Sequence, residues 1–359
     1  MTSPHRSCID QLPAYALAPR AGHHTVIQLG QNELGHRPSP LAIAAARSAL
    51  KALERYPDVE HRELRRGIAD SFKVNIEQIL CGAGSMELMR LLAMVYLEPG
   101  TEVIFSEFGY KYFQIECAIA GAKVVIAPER DFEVDVRAIV SKVTERTRMV
   151  YLANPGNPTG YLISRADIEQ LRSELPLSIM LVLDCAYADF ADGAEFDNGF
   201  WRVDSSQNIV LLRTFSKAYG LASLRVGWLY GEIGVVELLK RVAIPNSVTN
   251  VGLAAASAAV RDGGYLAQTI DQVIETRAKV ARELSHRGLR VYPSSTNFLF
   301  VECIGDEPVT AAELASRLAK VNIIVRKLDS YGLTNFLRIT IGGKSTMDLF
   351  LEEVRKILP

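Results

Sequence analysis

Cysteine is scarce in these 359 residues: Cys8, Cys81, Cys117, Cys185 and Cys303 are scattered and odd in number. None forms a CxxC pair or lies beside a histidine cluster, which argues against a disulfide framework and a structural zinc site and fits a reducing cytoplasm. A surplus of either charge is missing too, with 40 Lys and Arg against 41 Asp and Glu. No basic field therefore points to nucleic acid, and no acidic tail to a solvated interaction arm. No stretch approaches the roughly twenty apolar residues that span a bilayer. The opening MTSPHRSCIDQLPAY also lacks the apolar core of an export signal. The expectation is a cytoplasmic protein whose partner is a small molecule. With 48% hydrophobic residues, the chain is long enough to bury more than one core.

Between residues 76 and 230, short β-rich runs alternate with helix-period segments. The runs are QILCG, TEVIFS, KVVIAP, MVYLAN, IMLVLD, NIVLLR and LRVGWLYG, and segments such as SMELMRLLAMVYL and SRADIEQLRSEL separate them. This alternation predicts a mostly parallel sheet covered on both faces, with its chemistry at the carboxyl ends of the strands. From about Glu232 long helices take over, followed by TNFLFVEC, IIVRKL and FLRITIGG, which predicts a smaller α+β domain. The Pro- and Gly-rich start reads as an arm. The expected boundaries are an arm over 1–37, a large domain over 38–235 and a small domain over 236–359.

Four clusters fall at successive strand ends. In CGAGSMELM the strand stops in Gly82-Ala83-Gly84 and Ser85 opens a helix. That is either an anion seat built from free N–H groups or an ordinary strand-to-helix turn. NPGNPTG, Asn154 to Gly160, has two Asn-Pro steps that make a rigid extended turn able to aim an asparagine amide. In LVLDCAYADF, Asp184 ends a run too apolar for a carboxylate unless a cation meets it or it caps a helix, and Tyr187 follows. In TFSKAYGLASLRVGW, Lys217 closes a core strand, either as a snorkelling stem or as a reagent, and Ser216 and Arg225 are able to converge on one phosphate. Together the four suit a cofactor with a phosphate, a phenolic oxygen and a basic ring nitrogen.

Pyridoxal 5'-phosphate is such a cofactor, and over nearly its whole length the sequence resembles the fold-type I aminotransferases that use it. The resemblance is greatest to histidinol-phosphate aminotransferases, through LPAY, QNE, ERYPD, GAGSME, GYKYF, NPGNPTG, DCAYADF, TFSKAYGLASLRVGW, VRKLDSYG and FLRITIGG in that order. It implies an α/β fold: a large domain on a mostly parallel seven-stranded sheet, a smaller α+β C-terminal domain, an N-terminal arm, and a homodimer. It also implies that Lys217 binds the cofactor through the covalent bond only a primary amine forms, and then shuttles a proton. By the same resemblance Asp184 pairs with the ring nitrogen, Asn157 and Tyr187 bond the phenolic oxygen, and Tyr110 stacks on the ring. Thr214, Ser216, Arg225 and the backbone N–H groups of Ser85 and Met86 hold the phosphate, with Tyr56 reaching it from the neighbouring subunit.

For the substrate, the resemblance makes Arg338 the grip on a carboxylate, with Asn32 nearby. Arg326 contacts the phosphate of histidinol phosphate, and Tyr15 lines that pocket. The sequence departs from the family pattern where Leu34-Gly35 replaces Asn-Pro, where Cys185 follows Asp184, and where Gly342-Gly343 replaces Gly-Thr. The implied reaction is transamination between histidinol phosphate, or another amino acid or amino-alcohol phosphate, and 2-oxoglutarate. An aromatic amino-acid aminotransferase, a threonine-phosphate decarboxylase and a non-catalytic cofactor-binding protein are the alternatives.

Overall fold

The computed structural model describes residues 9–10, 12, 26–191, 203, 208–304 and 309–358. Among them the strands are β1 (Ile27–Leu29), β2 (Ile79–Gly82), β3 (Glu102–Ser106), β4 (Lys123–Ala127), β5 (Glu129–Arg130), β6 (Glu133–Val134), β7 (Thr147–Ala153), β8 (Met180–Asp184), β9 (Ile209–Thr214), β10 (Gly227–Tyr230), β11 (Leu289–Val291), β12 (Phe298–Cys303), β13 (Ile323–Leu328) and β14 (Leu333–Thr340).

The seven apolar runs build one sheet, ordered β2-β10-β9-β8-β7-β3-β4. It is parallel except for β10, which runs antiparallel to both neighbours. Helices cover both faces, so the strand side chains divide by parity. Val150, Leu152, Leu181 and Leu183 enter one core, while Met149, Tyr151, Met180 and Val182 enter the other. From β3 the chain moves outward to β4, then returns to lay β7, β8 and β9 on the other side of β3. The reversal opens a crevice beyond the carboxyl ends of β3 and β7.

The smaller sheet is ordered β1-β13-β14-β12-β11. Its edge, β1, comes from the segment read as an arm and pairs in parallel with β13, Ile27 opposite Ile323. The pairing satisfies backbone groups that a bare edge would leave open. The helix Asn250–Arg261, from the stretch read as small domain, packs on the helices Pro40–Ala49 and Arg62–Phe72 from the stretch read as large domain. Its Ala255, Ala256, Ala259 and Val260 are buried, and small side chains of this kind let helices approach closely. Among the described residues no helix is long and apolar enough to cross a membrane.

Candidate active site

A cavity of about 830 Å³ lies where the carboxyl ends of β7, β8 and β9 meet the small sheet. At one end, Gly84 (φ 80°) leads into the helix Ser85–Tyr96 without a side-chain cap, so the first N–H groups of that helix are open to an anion. Arg225, itself at φ 53°, donates from Nη1 to Ser216 Oγ at 3.1 Å and to the Ala222 carbonyl at 3.1 Å. Thr214 Oγ1 accepts from the Ser216 N–H at 3.0 Å. A Cβ on Gly84 would overlap the Arg225 guanidinium, and one on Gly227 would lie 2.5 Å from Ser85 N. Glycine at both positions lets helix start, strand end and arginine share one concavity.

Asp184 ends β8, fully inside. Its Oδ2 accepts from the Tyr151 hydroxyl at 2.6 Å and its Oδ1 from the Ala186 N–H at 3.1 Å. Burial pushes its pKa up, opposed by those hydrogen bonds and by Lys217. Lys217 points its Nζ at the carbonyls of Gln31 (3.2 Å) and Asn32 (3.0 Å) and lies 5.6 Å from the Tyr187 ring centroid. Burial, and after it the Arg338 charge, bring its pKa down to about 7. Asn32 is buried with φ 55°. Its Nδ2 donates to the Tyr187 hydroxyl at 2.8 Å, and Thr340 Oγ1 accepts from its N–H at 3.0 Å.

Arg338, on β14, donates to Asn157 Oδ1 at 2.6 Å and to the Gly30 carbonyl at 2.8 Å. Arg326 stands directly across from it on β13. Both line the cavity, as do Tyr110 and Met86. The structure thus gathers every residue singled out from sequence for cofactor or substrate except two. Tyr56 is 88% exposed and forms no part of the cavity wall. Tyr15 lies outside the described residues.

Sequence reasoning missed Tyr151 and Lys111. A lone hydroxyl in the apolar run MVYLA is a signal that a buried partner awaits it. Lys111 gives no such signal: its Nζ donates to the Ser330 carbonyl and sits 4.5 Å from the Tyr331 ring centroid, a meeting made only by tertiary structure. Two departures from the family pattern also prove to be one feature. Gly35 lies so close to the Gly342-Gly343 backbone that a Cβ on it would overlap both residues, and Leu34 packs on Gly220.

The sequence pattern of the aminotransferase class I and II family matches residues 24–354. The chain belongs to the class I and II aminotransferases. A histidinol-phosphate aminotransferase of Rhodopseudomonas palustris is 39% identical over 333 residues, covering 93% of this chain and 91% of the relative. One of Nitrobacter hamburgensis is 37% identical, covering 96% and 94%. The crystal structure of histidinol-phosphate aminotransferase from Sinorhizobium meliloti in complex with pyridoxal 5'-phosphate matches with a TM-score of 0.90 at 28% identity, covering 99% of both chains. The cofactor of this aminotransferase is pyridoxal phosphate, and the residues present fit it. The uncapped helix start and Arg225, brought together by Gly84 and Gly227, suit a phosphate. A buried carboxylate and a lysine amine lowered to about 7 suit a basic ring nitrogen and a carbonyl.

Proposed function

We propose that this aminotransferase moves the amino group of histidinol phosphate onto 2-oxoglutarate, as a cytoplasmic homodimer. The observation that carries the substrate is the Arg326–Arg338 pair, in register on adjacent strands at the cavity wall. Like charges directly across a sheet repel, and an anion between them turns the cost into a grip. The proposed reaction brings such anions in both halves, the phosphate of the amine and the carboxylates of the oxo acid. Relatives named for this activity at 37–39% identity support the same reading.

When bound, pyridoxal phosphate supplies an electron-accepting ring and a carbonyl carbon that takes up the donor nitrogen. Ser85, Met86, Thr214, Ser216 and Arg225 would hold its phosphate. Asp184, fixed by Tyr151 and Ala186, would face the ring nitrogen and keep it protonated. Asn157 and Tyr187 would bond the phenolic oxygen, and Tyr110 would cover the ring. Lys217, with a pKa of about 7, would take a proton at the substrate carbon and return it, the match of pKa to working pH that general acid–base catalysis favours. Arg338, with Asn32 nearby, would hold a carboxylate. Arg326 and the arm residue Tyr15 would take the phosphate end of the donor.

The dimer is supported by Leu50, Leu53, Tyr56 and Val59, which are 53%, 67%, 88% and 54% exposed, an apolar surface suited to burial against a second copy. Tyr56 would then reach the partner's cofactor phosphate. The described cysteines, all free thiols, agree with a reducing compartment.

A screen of the loaded enzyme tests the substrate. Histidinol phosphate, phenylalanine, tyrosine, glutamate and O-phosphothreonine are added singly while cofactor absorbance and carbon dioxide are followed. Histidinol phosphate should convert the cofactor to its amine form without releasing carbon dioxide. No response to either phosphorylated amine would overturn both the substrate and the role given to Arg326.

A further inference from the structure

The ribbon β5–β6 turns through Asp131 and Phe132, at φ 50° and 68°. In two-residue hairpin turns this left-handed region is normally filled by asparagine and glycine. A phenylalanine there is strained, and such strain persists only where the surroundings over-determine it. Here the surroundings belong to the small domain. The Phe132 ring meets Tyr292, Phe300 and Phe336 edge-on, with centroids 5.1, 5.0 and 5.1 Å away, the geometry aromatic rings prefer. The socket is itself firmly built: Phe300 and Phe336 stack at 4.8 Å, and the Tyr292 hydroxyl donates to Glu302 at 2.8 Å.

The place of this socket gives it a role. Phe300 stands opposite Arg338 in the β12–β14 register, and Phe336 precedes Arg338 by two residues. All three therefore project from one face of the small sheet, the face that also carries Arg326. The knob is seated about 7 Å of strand away from the arginine pair. At its base the ribbon is fastened to the loop after β3. The Glu129 N–H donates to Glu107 Oε2 at 3.1 Å, the Phe108 N–H donates to Glu129 Oε1 at 3.2 Å, and the Phe108 and Phe132 rings lie 5.3 Å apart. Tyr110 follows two residues later, so one small ribbon connects the approach to Tyr110 with the sheet that bears both arginines.

We propose that Phe132 is a positioning residue for substrate binding: lodged between Tyr292, Phe300 and Phe336, it sets the height of Arg326 and Arg338 above the cofactor wall at Tyr110. The proposal rests on the reading that these arginines hold the substrate's anions. Phe132 is not part of the cavity wall, so its effect is exerted through the sheet.

The test compares the loaded wild-type enzyme with Phe132→Ala, Phe132→Gly and Phe132→Leu. KM and kcat are measured for both substrates, together with the calorimetric Kd of glutarate, a non-reacting dicarboxylate, and the cofactor absorbance. Glycine relieves the turn, so the ribbon stays formed while the knob is gone. Misplacement of about an ångström suffices to weaken a binding geometry, so KM and the glutarate Kd should rise about tenfold with alanine and with glycine. The cofactor band should be unchanged and kcat should fall far less than KM rises. Leucine should recover most of the affinity. Alanine and glycine variants that melt earlier yet bind glutarate and substrates as the wild type does would overturn the proposal and leave Phe132 as interdomain packing alone. A wild-type enzyme that ignores histidinol phosphate removes the proposed donor, while the glutarate affinities still judge Phe132.

Discussion

The amine of Lys217 is buried between two backbone carbonyls and near two guanidinium groups, and a cation stripped of water holds its proton weakly. Acetylation by acetic anhydride of the cofactor-free protein, followed by mass spectrometry, should therefore show Lys217 becoming reactive through pH about 7. Arg338→Gln should move that midpoint upward, because Arg338 is the largest cause of the lowering after burial. An unmoved midpoint would remove Arg338 from the electrostatics of the amine. The sign for stability follows: the folded pKa lies below the ordinary 10.5, so the burial penalty is absent above pH 10.5 and complete below about 7. At this scale the sequence was informative wherever a polar residue ended an apolar run, as Asp184 and Lys217 do. It was silent on the bond from Lys217 to Asn32, which closes a loop of 185 residues.

Among the elements, the strands of the large sheet were legible as apolar runs, continuous where both faces are buried, as in β3, β8 and β9, and marked by β-branched residues in the partly exposed edge strand β4. The three residues of β1 and the two-residue strands β5 and β6 are too short to carry a period, and their places depend on partners distant in sequence. The arm departure illustrates the same limit. Leu34-Gly35 and Gly342-Gly343 look like two unrelated losses from the family pattern, yet the first glycine lies against the other two. Gly35→Ala should force this backbone contact apart and cost about 1–3 kcal/mol, as overpacking does. The urea midpoint of the cofactor-free protein is the measurement, and an unaltered midpoint would show that the segment yields freely.

For the whole molecule, the change of pattern near Glu232 pointed to a second domain, but nothing in the sequence foretold that the helix Asn250–Arg261 packs on Pro40–Ala49 and Arg62–Phe72, since an alanine-rich face does not name its partner. The second subunit is argued from Tyr56 and its exposed neighbours. Sedimentation should find a dimer, and Tyr56→Phe should weaken cofactor binding by about 1.5–3 kcal/mol, the worth of a hydrogen bond to a charged group. Mixing Tyr56→Phe chains with Lys217→Ala chains should restore one complete site per mixed dimer. An affinity that stays low after mixing would place the Tyr56 effect within its own subunit.

On the proposed reading, the arginines that face each other across β13 and β14 would make the ligand a structural counter-ion. An anion held there would offset the repulsion between the two guanidinium groups, adding to the bonds that Arg338 makes with Asn157 and Gly30. Catalytic load and folding would thereby be joined by mass action: a ligand held between these strands would raise the stability of the sheet that carries them.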